Sequence, residues 1–199
     1  EAEKIPYRTF FSNSRYEALQ GAIKIARHKS IGKNRNFENV TVIYDPSMEL
    51  MFFFDPLNQG DEDALIPGVK IVSELEALEK AIDAEIKPIA AAFHTDVQSE
   101  SALISKLIKK CGSYDIISIL NMWDTDIAAG RLLIHSLESL PDIIVSGESM
   151  TNYEIPFGAF SMSRKVHEPW ESLEGSLIHS STYAGNNLAL TKVLNRMLK

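Results

Sequence analysis

The stretch KPIAAAFHTDVQSESALISKLIKKCGSYDIISIL, residues 87–120, decides the fold class. Its two apolar runs, 89–93 and 116–120, have no polar alternation, which is typical of strands covered on both faces of a parallel sheet. Between them, residues 102–110 repeat leucine and isoleucine at four-residue spacing, which indicates a helix. A strand, a helix and a second strand in succession predict an α/β protein.

The same alternation extends along the rest of the chain. Ser14 with Glu17 three residues on forms a capping box, which opens a predicted helix that ends near residue 28. Ser73 with Glu76 predicts a second such start. The remaining patterns are predicted strands 40–44, 69–72, 143–145 and 157–162, an apolar run at 50–54, and predicted helices 127–137 and 190–197.

These elements predict a three-layer α/β/α sandwich with a mixed, mostly parallel sheet of about seven strands. We expect residues 1–199 to form a single domain, excised from a longer multidomain protein.

Composition excludes several classes of function. The net charge is −7 with acidic and basic residues interleaved, which argues against nucleic acid and anionic membrane surfaces as partners. Apolar runs stay well short of the ~20 residues of a membrane span. Cys111 is the single cysteine, which excludes an internal disulfide and favours a cytoplasmic location. No histidine pair has metal-ligand spacing, so we expect no metal site.

Six segments resemble, in order, landmarks of the class III aminotransferases of the acetylornithine and ornithine type. FSNSRYEA (11–18) resembles FxNSGTEA, IAAAFHTDVQ (89–98) resembles IAAVIVEPVQ, and residues 114–121 stand where a strand ends in DEVQT. PDIIVSG (141–147) resembles PDIVTLGK, IPFGA (155–159) resembles PIGA, and STYAGN (181–186) resembles STFGGN. The resemblance implies the large domain of fold-type I pyridoxal-phosphate enzymes, with 157–162 as its antiparallel strand, and a homodimer formed through this domain.

The residues that the resemblance makes catalytic are replaced in this chain. Glu148 follows Gly147 where the family has the lysine that forms the imine with the cofactor. Asn121 stands where an aspartate keeps the pyridine nitrogen protonated, and Asp124 stands where a glutamine follows it. A carboxylate cannot form an imine and a neutral amide cannot supply the missing charge.

The cofactor-binding positions have changed as well. Arg15 and Tyr16 occupy the Gly-Thr pair of the phosphate cradle. Tyr44 is all that remains of a Tyr-His-Gly motif, and Thr95 replaces a glutamate, whereas Thr182 matches a phosphate-binding threonine and is kept. We therefore expect no bound cofactor and a vestigial pocket.

These losses indicate a pseudo-aminotransferase. It would be a structural, dimerising or docking module, with a second copy and the other domains of a larger protein as partners, such as a polyketide synthase-type assembly. One alternative is a repurposed enzyme with Glu148, Asp124, Asn121 and Tyr44 lining the old cleft. Another is a genuine transaminase with a displaced lysine, for which Lys165 is the nearest downstream candidate.

Three further expectations concern single side chains. Arg15 is expected at the surface or in an interface, because a cation at a helix N-terminus opposes the helix dipole. A carboxylate in a vacated lysine slot, here Glu148, is expected to be solvated. Trp123 fits an interface anchor and core packing equally well.

Overall fold

The computed structural model describes residues 7–30, 37–57, 64–95, 99–176, 179–182 and 184–198. Residues 96–98 and 183 of the quoted motifs lie outside these ranges. Seven strands form one sheet: β1 Tyr7–Ser12, β2 Phe37–Tyr44, β3 Val69–Val72, β4 Lys87–Phe93, β5 Ile117–Asn121, β6 Ile143–Ser146 and β7 Gly158–Ser163.

The strand order is β1-β7-β6-β5-β4-β2-β3. The strands from β3 through β6 pair in parallel, and β7 is antiparallel to both β6 and β1. This confirms the predicted mixed, mostly parallel sheet and its antiparallel member.

Helices cover both faces of the sheet, which confirms the three-layer sandwich. The helices are α1 Arg15–Ser30, α2 Met51–Phe54, α3 Leu75–Asp83, α4 Ser101–Ser113, α5 Ile127–Ser136, α6 Arg164–His167, α7 Leu173–Ser176 and α8 Asn187–Met197, with 3-10 turns at Glu148–Thr151 and Glu168–Trp170. One core lies under α1, built on Ile43, Ala92 and Ile119. A second core lies under α3, α4 and α5, built on Phe93, Leu107 and Leu120.

Three local features differ from the sequence prediction. Strand β1 was not predicted from the sequence. The apolar run 50–54 forms the short helix α2. Buried Asp45 turns the chain between β2 and α2, because its carboxylate accepts the backbone N–H groups of Ser47 and Leu50 at 3.0 and 2.9 Å. The second capping box is also wrong: α3 begins after Glu74, whose side chain makes no capping bond.

The first capping box forms and places the start of α1. Ser14 Oγ accepts the Glu17 N–H at 3.2 Å, and the Glu17 carboxylate accepts the Asn13 N–H at 2.8 Å. Because α1 follows β1, its N-terminus meets the carboxyl ends of β5 and β6. The candidate site lies at this edge of the sheet, where parallel α/β sheets usually bind ligands.

No helix among the described residues is long and apolar enough to cross a bilayer.

Candidate functional site

Arg15 holds the two carboxylates that follow β5 and β6, and with them forms what we call the Arg15 cluster. Its guanidinium Nη1 lies 2.9 Å from Asp124 Oδ1, and its Nε lies 3.7 Å from Glu148 Oε2. Its backbone N–H donates to Glu148 Oε1 at 3.3 Å. The fourth member, Tyr153, donates its hydroxyl to Asp124 Oδ1 at 2.9 Å.

The charges of the Arg15 cluster stabilise one another. Burial disfavours the guanidinium, but the neighbouring carboxylates outweigh burial and the pKa of Arg15 is raised. Burial and the hydrogen bond to Asp124 raise the pKa of Tyr153. Glu148 is 21% exposed at its side chain and engaged by Arg15, so the expectation of a solvated carboxylate is wrong. Arg15 is only 27% exposed, so it does not lie free at the surface, and the other predicted position, an interface, stays a prediction.

Four rings contact one another in a row beside the Arg15 cluster, and we call them the aromatic stack: Phe53, Tyr16, Trp123 and His94. Consecutive ring centroids in this order lie 4.4, 5.2 and 4.8 Å apart. The Arg15 guanidinium carbon lies 4.9 Å from the Trp123 ring centroid and 5.3 Å from that of Tyr16, within cation–π range. Trp123 is 1% exposed, so it is a core residue and not an interface anchor.

Asn121 is held in a hydrogen-bonded chain at the end of the aromatic stack. Its amide Nδ2 donates to His94 Nδ1 at 3.1 Å, which leaves His94 Nε2 to donate to Glu49 Oε1 at 2.9 Å. Since both His94 nitrogens are engaged in this way, the ring has a fixed tautomer. The Asn121 side chain is buried, and it carries no charge.

Gly147 permits the Arg15 cluster and the aromatic stack to pack closely against each other. A Cβ at this position would lie 2.6 Å from Trp123 Cβ and 2.9 Å from Arg15 Cβ. Ser149 fixes the turn after β5, because its Oγ lies within hydrogen-bonding distance of the carbonyl oxygens of Trp123 and Thr125, at 2.5 and 3.0 Å. The turns after β5 and β6 therefore close on each other around Arg15.

Three of the predicted pocket residues make their contacts outside the Arg15 cluster. Tyr44 is 8% exposed and packs in the core on the opposite face of the sheet, under α3 and α4. Thr95 donates to Glu100 Oε2 at 2.7 Å. Thr182 is exposed, and its carbonyl accepts Asn13 Nδ2 at 2.5 Å.

Lys165, the displaced-lysine candidate, lies at the opposite ends of the strands, where β5 begins. Its Nζ is 3.0 Å from Asp115 Oδ1, and Asp115 precedes β5 whereas Asn121 ends it. The hydrogen bond to Asp115 leads the effects that raise the pKa of Lys165. A raised pKa favours the ammonium form, which is not nucleophilic.

His179, three residues before Thr182, should make the free energy of unfolding depend on pH. Burial first, and then the charge of Lys24, lower the pKa of His179. Its ring stacks on Trp170 at 5.4 Å. The unfolded chain therefore binds this proton at higher pH than the folded chain does, so the stability present above about pH 6.5 is lost as the pH falls.

We expect urea titrations to show a smaller loss of stability between about pH 7.5 and 5.5 in His179→Phe than in the unmodified protein. His135→Gln is the matched control, because His135 is exposed and should leave the loss unchanged. Equal losses in all three proteins would contradict this prediction.

Sequence reasoning missed Tyr153, Phe53 and Glu49 as parts of the site. Each lies in a turn or short helix that follows a strand, so only the general rule about carboxyl edges of sheets pointed to it. In the described part of the chain, no group of three or more His, Cys, Asp or Glu residues is placed to hold a metal ion.

Comparison with known proteins gives matches to aminotransferases. No family model matches the chain. Mitochondrial acetylornithine aminotransferase of Saccharomyces cerevisiae is 25% identical over an alignment of 202 positions, which covers 92% of this chain and 46% of the yeast protein.

Among solved structures, acetylornithine aminotransferase from Elizabethkingia anophelis aligns with a TM-score of 0.70 and 17% identity, over 96% of this chain and 49% of that one. Ornithine aminotransferase from Toxoplasma gondii aligns with a TM-score of 0.70 and 21% identity, over 99% and 50%. The chain has the fold of these class III aminotransferases and spans about half the length of the yeast protein and of each of these two solved chains.

Proposed function

We propose that this chain is a pseudo-aminotransferase domain, which keeps the scaffold of the enzymes it resembles and serves as a structural and dimerising module. The observation that carries the proposal is the position of Arg15. It is paired with Asp124 and lies over Trp123, in the space between helix N-terminus and strand ends where the resemblance puts the cofactor. A protein that bound pyridoxal phosphate there would need this space open.

The residues of this site do not fit pyridoxal phosphate. Glu148 has no amine for an imine, and the side-chain amide of Asn121 donates to His94 and offers no negative charge. At the start of α1, the carboxylate of Glu148 already accepts the Arg15 N–H, which a phosphate would otherwise bind. A phosphate would be a third anion beside the carboxylates of Glu148 and Asp124, and they would repel it.

The two alternative functions have less support. A repurposed cleft needs free polar groups in an open pocket, but Asp124 and Glu148 are engaged by Arg15 and Tyr44 lies on the opposite sheet face. A displaced lysine needs a nucleophilic amine at the site, and Lys165 lies at the opposite ends of the strands, paired with Asp115.

Pyridoxal phosphate should therefore leave no covalent trace on this protein. We expect no new absorption band that survives dialysis, and no mass increase at a site-specific lysine after borohydride reduction. An acetylornithine aminotransferase treated in parallel serves as the positive control. A single reduced lysine adduct in this chain, at full occupancy, would refute the proposal.

The module function itself has a separate test. We propose that two copies associate, and that the parent protein is a longer multidomain assembly of polyketide synthase type. Analytical ultracentrifugation over a wide concentration range should give a sedimentation coefficient of a dimer. A monomer at every concentration, both alone and within the parent protein, would contradict dimerisation while leaving the loss of cofactor chemistry intact.

A further inference from the structure

A cavity lies on the other side of the β5 turn from the Arg15 cluster. Met122 and Trp123 are consecutive, yet Trp123 packs in the core under α1 and Met122 in the core under α4 and α5. The cavity that Met122 lines has a volume of about 230 Å³ and opens between α5, the end of β6 and the end of α8. It shares no residue with the Arg15 cluster or the aromatic stack.

The wall of this cavity is apolar and adaptable. Three of the six methionines in the chain line it, Met122, Met150 and Met197, together with Ile134 and Ile144. Methionine side chains are flexible and polarisable, and they adjust to ligands of different shape. Gly130 keeps the wall of α5 open, because a Cβ there would lie 3.0 Å from Met122 Cε.

The mouth of the cavity carries positive charge. Arg131 and His135 are exposed and four residues apart on α5, so they lie on the same helix face. Arg131 donates to the Met197 carbonyl at 2.5 Å, and within the described ranges neither residue is ion-paired. Among the described residues that line the cavity, the one carboxylate is that of Asp126, which is engaged by Arg196 at 2.6 Å and by the Ala128 N–H at 2.8 Å.

We propose that this cavity binds a small organic carboxylate whose apolar body is about one aromatic ring with a short linker. An apolar cavity of about 150 Å³ accommodates benzene, and drug-sized ligands occupy about 300 Å³ or more, so this volume lies between the two. The ring packs among the methionines, and the carboxylate is held at the mouth by the Arg131 guanidinium and by a hydrogen bond from the His135 ring. This goes beyond the proposed function, because a domain without its former chemistry can still carry a ligand.

The methionines supply the test. With [methyl-13C]methionine-labelled full chain, 3-phenylpropanoate should shift the methyl resonances of Met122, Met150 and Met197. Met48, Met51 and Met162 do not line the cavity and should stay in place. We expect half-saturation near millimolar concentration, the range typical of a ligand this small. At equal concentration, 3-phenylpropylamine should cause much smaller shifts, because its charge has the wrong sign.

Two variants on α5 separate the cavity from non-specific binding. Ile134→Phe fills the cavity and should weaken binding at least about tenfold, or 1.4 kcal/mol. Leu132→Phe adds the same ring to an exposed position of the same helix, 73% exposed, and should bind like the unmodified protein. Equal shifts in all six methionines, no shift at about 10 mM ligand, or equal binding of the amine would each overturn the proposal.

Discussion

Trp123→Ala should lower the free energy of unfolding by about 3–5 kcal/mol, the usual cost of emptying a buried aromatic site. The Trp123 side chain is 1% exposed and lies in ring contact with Tyr16 and His94 and under the Arg15 guanidinium. Its loss removes the shared surface of the aromatic stack and leaves a cavity between α1 and the turn after β5. The corresponding fall in melting temperature is roughly 6–20 °C for a domain of this size.

Trp123→Phe is the matched control for this prediction. Phenylalanine keeps a ring against Tyr16 and Arg15 and removes only part of the volume, so the loss should be clearly smaller. The indole nitrogen of Trp123 has no hydrogen-bond partner in the described structure, so the change to phenylalanine removes no polar contact. If Trp123→Ala cost less than about 1 kcal/mol by urea titration, the ring would not be filling a closed site.

The second large effect is expected at Gly158, where β7 begins beside the start of α1. A Cβ at this position would lie 2.0 Å from the carbonyl oxygen of Ser14 and 2.8 Å from Ser12 Oγ. The Ser14 carbonyl also accepts the Ala18 N–H at 3.0 Å, so it cannot move without disturbing the helix. Gly158→Ala should cost about 3 kcal/mol or more, at the upper end for overpacking, because the obstructing atom is backbone.

Gly112→Ala tests the same substitution without the clash. Gly112 lies in α4, and a Cβ there would meet nothing within 4 Å. Alanine is the better helix former by about 0.8–1.0 kcal/mol, so this variant should be as stable as the unmodified protein or more stable. Calorimetric melting of both variants gives the comparison. A Gly158→Ala protein that melts with the Gly112→Ala protein would disprove the tight crossing of β7 and α1.

Patterns of apolar residues were sufficient to predict the layers of the fold. The runs that became β4 and β5 are buried on both sheet faces, and that burial leaves an unambiguous signature. β1 gave no such signature, because it is an edge strand with exposed Arg8 and Thr9 and pairs only with β7. The apolar run 50–54 was ambiguous, since short apolar runs do not distinguish a strand from a helical turn.

Four members of the site were predictable from the sequence, but their contacts were not. The sequence brought Arg15, Asn121, Asp124 and Glu148 to the same edge through the resemblance, and they do lie there. It gave no indication that Arg15 would pair with both carboxylates, because ion pairing depends on how three separate turns approach one another. Nor could it assign Trp123 to the core, since an aromatic residue after a strand serves equally well inside a protein or at an interface.

The contact between Glu148 and the first residue of α1 also affects the stability of the folded state. A protein that binds an anion at such a helix start gains stability from it, about 2.7 kcal/mol when the ligand is present at 100 times its dissociation constant. Here the carboxylate that accepts the Arg15 N–H belongs to the chain itself. Its effective concentration is set by the fold and not by the cell. The stabilisation of this helix start should therefore not depend on the supply of any soluble anion.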